Sequence, residues 1–97
     1  MTKAYWVAQM DVTDPAAYDR YRAANGAAFA KYGARFVIRG GAQEVKEGHS
    51  RARTVVIEFP SLEAARACYE SPEYQAAKAL RAGASEGHLI IVPGWEG

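Results

Sequence analysis

Two charged residues of this 97-residue chain lie inside otherwise apolar stretches. Arg39 closes Arg35-Phe36-Val37-Ile38-Arg39 ahead of Gly40-Gly41, and Glu58 stands between Ile57 and Phe59. A charge buried without a partner is very costly, so such residues are paired, hydrogen-bonded or turned to water. If their strands are neighbours and both side chains face one way, the two form an ion pair at a pocket floor. Arg39 would then hold a carboxylate or enolate oxygen, and Glu58 would act as a base. The competing reading is a structural salt bridge, or two solvated charges at strand ends.

Tyrosines come next: Tyr18, Tyr21, Tyr32, Tyr69 and Tyr74. Aromatic residues at helical spacing usually build core. A buried tyrosine still needs a partner for its hydroxyl, so several on inward faces imply a polar-lined gap between helices and sheet. Small-molecule pockets have that mixture of apolar walls and a few placed polar groups. Asn25 belongs to the same set, with a hydrogen bond to a tyrosine hydroxyl as its plainest role. The candidate ligand-binding pocket is therefore Arg39, Glu58, Tyr32, Tyr74 and Asn25, with no catalytic residue assigned.

Other reactive groups are isolated. His49 lies in a polar stretch and His88 opens an apolar one, with no ligand cluster at zinc spacing, so neither a metal nor a cofactor is expected. Cys68 has no basic neighbour in sequence to activate it and reads as a small buried apolar residue. Gly40-Gly41 lacks the Lys-Ser/Thr sequel of a phosphate loop and reads as a turn. Twelve basic and eleven acidic residues give a net charge of +1. That argues against a broad nucleic-acid surface or a polybasic membrane patch. No run reaches the ~20 apolar residues of a membrane span. One cysteine allows no internal disulfide, and a cytoplasmic setting is expected.

The elements that must position these residues are legible. Tyr5 to Val12 has the composition of a strand. Asp14-Pro15 starts a helix, with Asp14 as cap and Pro15 at the position that needs no amide. Tyr18, Tyr21, Asn25, Ala28, Phe29 and Tyr32 mark its inner face, and Gly33 ends it. Arg35 to Arg39 is a second strand. Gln43 to Arg53 is a loop or exposed hairpin, and Thr54 to Phe59 a third strand. Ser61 caps a helix through Leu62, Ala65, Cys68 and Tyr69. Ser71-Pro72-Glu73 restarts it, which predicts a break at Ser71. Tyr74, Ala77, Leu80 and Arg81 continue the inner stripe. Gly83 to Gly87 is a turn, and His88 to Val92 the last strand.

The order β-α-β-β-α-β predicts a single α+β domain over residues 1–97. Its architecture is ferredoxin-like, an antiparallel sheet with its helices on one face. Such a sheet should alternate apolar and polar residues. Val55-Val56-Ile57 and Leu89-Ile90-Ile91-Val92 do not alternate. A second copy of the sheet is the simplest cover for the far face, so a homodimer is expected.

Three segments also resemble a known family. They are Tyr32 to Gly41 (YGARFVIRGG), Val56 to Ala65 (VIEFPSLEAA) and Tyr69 to Gln75 (YESPEYQ). In this order and spacing they resemble the bacterial domain-of-unknown-function 1330 family, over nearly the whole chain. The resemblance implies a dimeric α/β barrel, two ferredoxin-like units with sheets face to face. It attaches no reaction. One departure falls at Cys68-Tyr69, where the pattern has an aromatic residue before Tyr.

Two functional classes follow. The first is a small protein that binds an organic ligand between helices and sheet, or a cofactor-independent enzyme of monooxygenase or isomerase type using the same gap. That enzyme reading rests on fold analogy. The second is a non-catalytic structural dimer or sensor.

Overall fold

In a computed structural model, which describes residues 2–97, the chain forms seven elements. These are β1 (Ala4–Val12), α1 (Pro15–Lys31), β2 (Arg35–Arg39), β3 (Arg53–Phe59), α2 (Leu62–Glu70), α3 (Pro72–Ala79) and β4 (Ser85–Pro93). The strands make one antiparallel sheet in the order β2-β3-β1-β4. This is the ferredoxin-like arrangement that the element order predicted.

Each helix starts where its cap chemistry dictates. Asp14 accepts a hydrogen bond from the Ala17 amide at 3.2 Å, and Ser61 accepts from Ala64 at 3.0 Å. Ser71 serves two helices. Its hydroxyl accepts from the Tyr74 amide at 3.1 Å and donates to the Cys68 carbonyl at 2.6 Å, so it starts α3 and closes α2 at once. Pro72 completes the break, because it cannot continue the ladder of α2 but fits the first turn of α3.

Alternation along the strands divides the sheet. Ala4, Trp6 and Ala8 of β1 and Val55, Ile57 and Phe59 of β3 are buried under the helices. Trp6 is the centre of that core. Its ring lies 5.4 Å from Phe29, 5.1 Å from Phe59, 5.7 Å from Tyr69 and 4.8 Å from Tyr74. Its Nε1 donates to the Ala65 carbonyl at 3.0 Å. Cys68 is fully buried among these groups, and burial pushes its thiol up to about 12.

The opposite face has no layer of its own. Ile38, Val56, Val7 and Ile90 fall in one row across all four strands, with Val92 one row on. Ile38 and Ile90 are about half exposed. The two-faced apolar strands thus leave an apolar band in water, the feature behind the expected second copy.

Two expectations need correction. β4 begins at Ser85, three residues before His88, because Glu86 and Gly87 already pair with Asp11 and Met10. Leu80 is exposed, since the helix gives way to turns after Ala79 and the stripe loses its period. Of the two readings of the segment between β2 and β3, loop and exposed hairpin, the structure has the loop. It is a loop pinned to the sheet by side chains: Asp11 accepts from the Ala52 amide at 3.0 Å and from Arg51 Nη1 at 2.9 Å, and Gln43 Nε2 donates to the Arg51 carbonyl at 2.6 Å.

The double duty of Ser71 gives a stability test. Ser71→Ala removes a cap and a buried donor together and is expected to cost about 2 kcal/mol, against about 1 kcal/mol for Ser61→Ala. Urea titration of both variants measures the difference. Equal losses would show that the bond to Cys68 contributes nothing.

Candidate functional site

Arg39 and Glu58 do not meet. In β2 the register against β3 shifts between Phe36 and Ile38, leaving Val37 as an extra residue. Strict alternation would put Arg35, Val37 and Arg39 on one face; the irregularity turns Arg39 to the other. Arg39 pairs with the buried Val55, and its guanidinium lies 4.3 Å over the Phe36 ring, exposed at the sheet edge. Glu58 faces the helix-free side. There it accepts from Lys3 Nζ and Arg35 Nε, both at 3.2 Å, and from the Tyr5 hydroxyl at 3.4 Å. Arg35 and Lys3 hold its carboxyl below the ordinary 4.5. No pair forms at a pocket floor: Glu58 joins a three-residue ion cluster on the open face and Arg39 stays exposed, which fits the competing reading of structural or solvated charges.

A cavity of about 270 Å³ does lie between helices and sheet, under α1 and α3. Trp6, Tyr18, Tyr21 and Tyr69 provide aromatic wall, and Ala8 and Val55 line it from the sheet. Gly87 lies opposite Met10 at its β4 end. A Cβ at Gly87 would sit 2.1 Å from the Gln9 carbonyl oxygen, so no side chain fits there. Lys78 and Arg81 are the cations of the lining, with Ser85 and His88 near them in sequence.

The hydroxyls are ordered by bonds of their own. Tyr18 donates to Met10 Sδ. The Tyr21 and Tyr74 hydroxyls lie 2.9 Å apart, and Arg81 Nη2 donates to Tyr74 Oη at 3.3 Å. The Arg81 guanidinium also stands 5.0 Å over the Tyr21 ring. Burial, followed by the neighbouring Tyr74, pushes the Tyr21 hydroxyl well above the phenol range; burial raises Tyr18 as well. At neutral pH both stay protonated and do not act as bases.

Of the five candidate residues none lines this cavity. Tyr74 is fully buried one contact behind it, through Tyr21 and Arg81. Asn25 is also buried, beside the Tyr21 hydroxyl, whose rise it tempers. Tyr32 ends α1 half-buried, beside the Lys31 ammonium and away from the cavity. Sequence reasoning missed Lys78 and Arg81 as site residues. Arg81 carried no reliable signal, because α3 ends at Ala79 and the helical period does not decide where it points. Among the described residues no three His, Cys, Asp or Glu side chains gather to hold a metal ion. No helix is long and apolar enough to cross a membrane.

The profile of a family described as a domain of unknown function, DUF1330, matches residues 3–95. The chain belongs to the DUF1330 family. A search of curated proteins finds none that matches. Solved structures of the same fold are more distant in sequence. A protein of unknown function from Rhodopseudomonas palustris superposes with a TM-score of 0.78 at 19% identity, covering 99% of this chain and 85% of that one. SnoaB, a cofactor-independent oxygenase from Streptomyces nogalater, gives 0.65 at 16% identity, with 100% and 97% covered. A dimeric protein of unknown function and ferredoxin-like fold from Bacteroides fragilis gives 0.62 at 15%, with 95% and 96% covered. At these identities the likeness is one of fold.

The Glu58 cluster makes a pH prediction. A carboxyl held low by pairing adds stability above its ordinary value, and that contribution is lost as pH falls through the lowered one. The stability gap between wild type and Glu58→Gln should be flat near neutrality and close in acid. Urea titrations from about pH 7 to about pH 3 measure it. A gap independent of pH would show that the cluster does not hold the charged form.

Proposed function

We propose that this DUF1330 protein binds a small organic molecule in the cavity between its helices and its sheet, and that it does so as a homodimer. The cavity carries the reading. It is a partly open cleft of about 270 Å³ between aromatic walls and placed polar groups. That composition is the one small-molecule sites have. Base catalysis inside the cavity is less favoured, since its raised tyrosine hydroxyls give hydrogen bonds and do not take protons.

The dimer is supported by the row Ile38, Val56, Val7 and Ile90. Facing copies of that band would cover it isologously, each row meeting its own equivalent. The Bacteroides fragilis protein of the same fold is dimeric. The helix side, and with it the cavity, stays free in such an assembly, because the sheets meet on their other faces.

Both halves are open to direct test. Trp95 is 92% exposed and Trp6 lines the cavity, so Trp95→Phe leaves the cavity tryptophan as sole indole reporter. Small aromatic and carboxylic acids should quench or shift its fluorescence saturably. A library that leaves Trp6 unchanged while the protein is folded would defeat the cavity reading. For the assembly, light scattering should give a dimer for wild type and a monomer for Ile90→Lys, with circular dichroism unchanged. A monomeric wild type at high concentration would defeat the dimer.

A further inference from the structure

We infer that the cavity selects an anion, specifically a carboxylate carried on a planar aromatic body of one or two rings. The inference rests on the cavity reading above and gives it a substrate class. Its basis is the charge of the lining. Lys78 and Arg81 bring two cations to the cavity, and no Asp or Glu lines it. Among the described residues neither cation forms an ion pair, whereas six of the other ten lysines and arginines do. A partly buried cation without a counter-ion favours a site for a negative charge brought from outside.

The geometry narrows the class. Arg81 is fixed by stacking on the Tyr21 ring and by its bond to Tyr74 Oη. One of its five N–H donors is engaged there, leaving a planar fork that matches the two oxygens of a carboxylate. Lys78 lies 5.3 Å from the Tyr69 ring centroid, and Tyr69 lines the same cavity. The rest of the wall combines the rings of the aromatic residues and the thioether of Met10 with aliphatic side chains such as Val55 and Leu89, which suit a flat apolar body, and Gln9, Ser85 and His88 add polar edges. Size sets the upper limit. A volume of about 270 Å³ falls just under the ~300–1,000 Å³ of sites for drug-sized molecules, so one or two rings fit and a large polycycle does not. No bond is made or broken in this proposal; it concerns recognition.

Naphthalene-2-carboxylate and naphthalene-2-carboxamide, which share shape and differ in charge, are the probes. Their dissociation constants are read from Trp6 fluorescence in the Trp95→Phe background. The acid should bind at least about tenfold more tightly than the amide, the loss expected for one charge-assisted hydrogen bond. Arg81→Met should close most of that gap while leaving amide affinity within about twofold, and Lys78→Met should close the remainder. The wild-type comparison needs no variant to fold. Equal binding of acid and amide by wild type would overturn the inference and leave the cavity reading standing. A gap that survives in the Arg81→Met, Lys78→Met double variant would place the anion elsewhere and overturn it too. Failure of both probes to perturb Trp6 at millimolar concentration would overturn the inference together with the cavity reading for this ligand size.

Discussion

The packing of Trp6 is the contact on which the other elements depend. It is the largest fully buried side chain, and it touches an aromatic residue from α1, β3, α2 and α3. Each ring contact is worth about 0.5–1.5 kcal/mol beyond burial, but its geometric effect matters more. One rigid indole, anchored by its bond to the Ala65 carbonyl, sets the distance of every helix from the sheet. That spacing leaves room on one side of the indole. Trp6 fills the sheet–helix gap toward Phe59 and borders the cavity toward Ala8. Core and site are two sides of one residue.

The sheet then separates two kinds of interaction. On the helix side are the core, the cavity and its unpaired cations. On the other are an apolar row and the Glu58 cluster with Lys3, Arg35 and Tyr5. The register irregularity at Val37 keeps them apart by turning Arg39 away from Glu58 and leaving Arg35 as its partner. The same irregularity puts Ile38 in line with Val56, which extends the apolar row to the edge strand. Gly40 closes this strand with a φ of +70°, a conformation glycine adopts without strain, and the Arg53 guanidinium packs where its Cβ would be.

How much of this was legible follows from the range of each signal. Caps act within four residues, so Asp14-Pro15, Ser61 and Ser71-Pro72 announced the helices and the break correctly. Two-faced strands announced an uncovered sheet face. What failed was orientation beyond one element. An Arg39–Glu58 pair required both side chains to face one way, and one extra residue in β2 turns Arg39 to the other face. Tyr32 shares the helical stripe and packs against the edge of the core, but at the C-terminal end of α1 it does not line the cavity. Tyr74 and Asn25 were rightly inward, yet they support the cavity rather than face it. Arg81 follows the end of α3, where the period of the stripe no longer predicts direction; its place over Tyr21 comes from the turns between α3 and β4.

A cavity in so short a chain is itself an argument. Ninety-seven residues bury a limited core, and small domains have little stability to spare. Filling the void would be simple in principle: a larger residue at Ala8, on the sheet side of the cavity, would add packing contacts. The chain instead holds a small residue there, lines the space with rings such as Tyr18 and Tyr21 whose hydroxyls are held by Met10 and Tyr74, and adds two cations without counter-ions. Stability alone favours none of those choices, since desolvating an unpaired cation costs free energy and an unfilled volume forgoes dispersion. A ligand that brings its own apolar body and negative charge supplies both missing terms. A dimer that covers the opposite face offsets the cost by burying apolar surface where no cavity is needed.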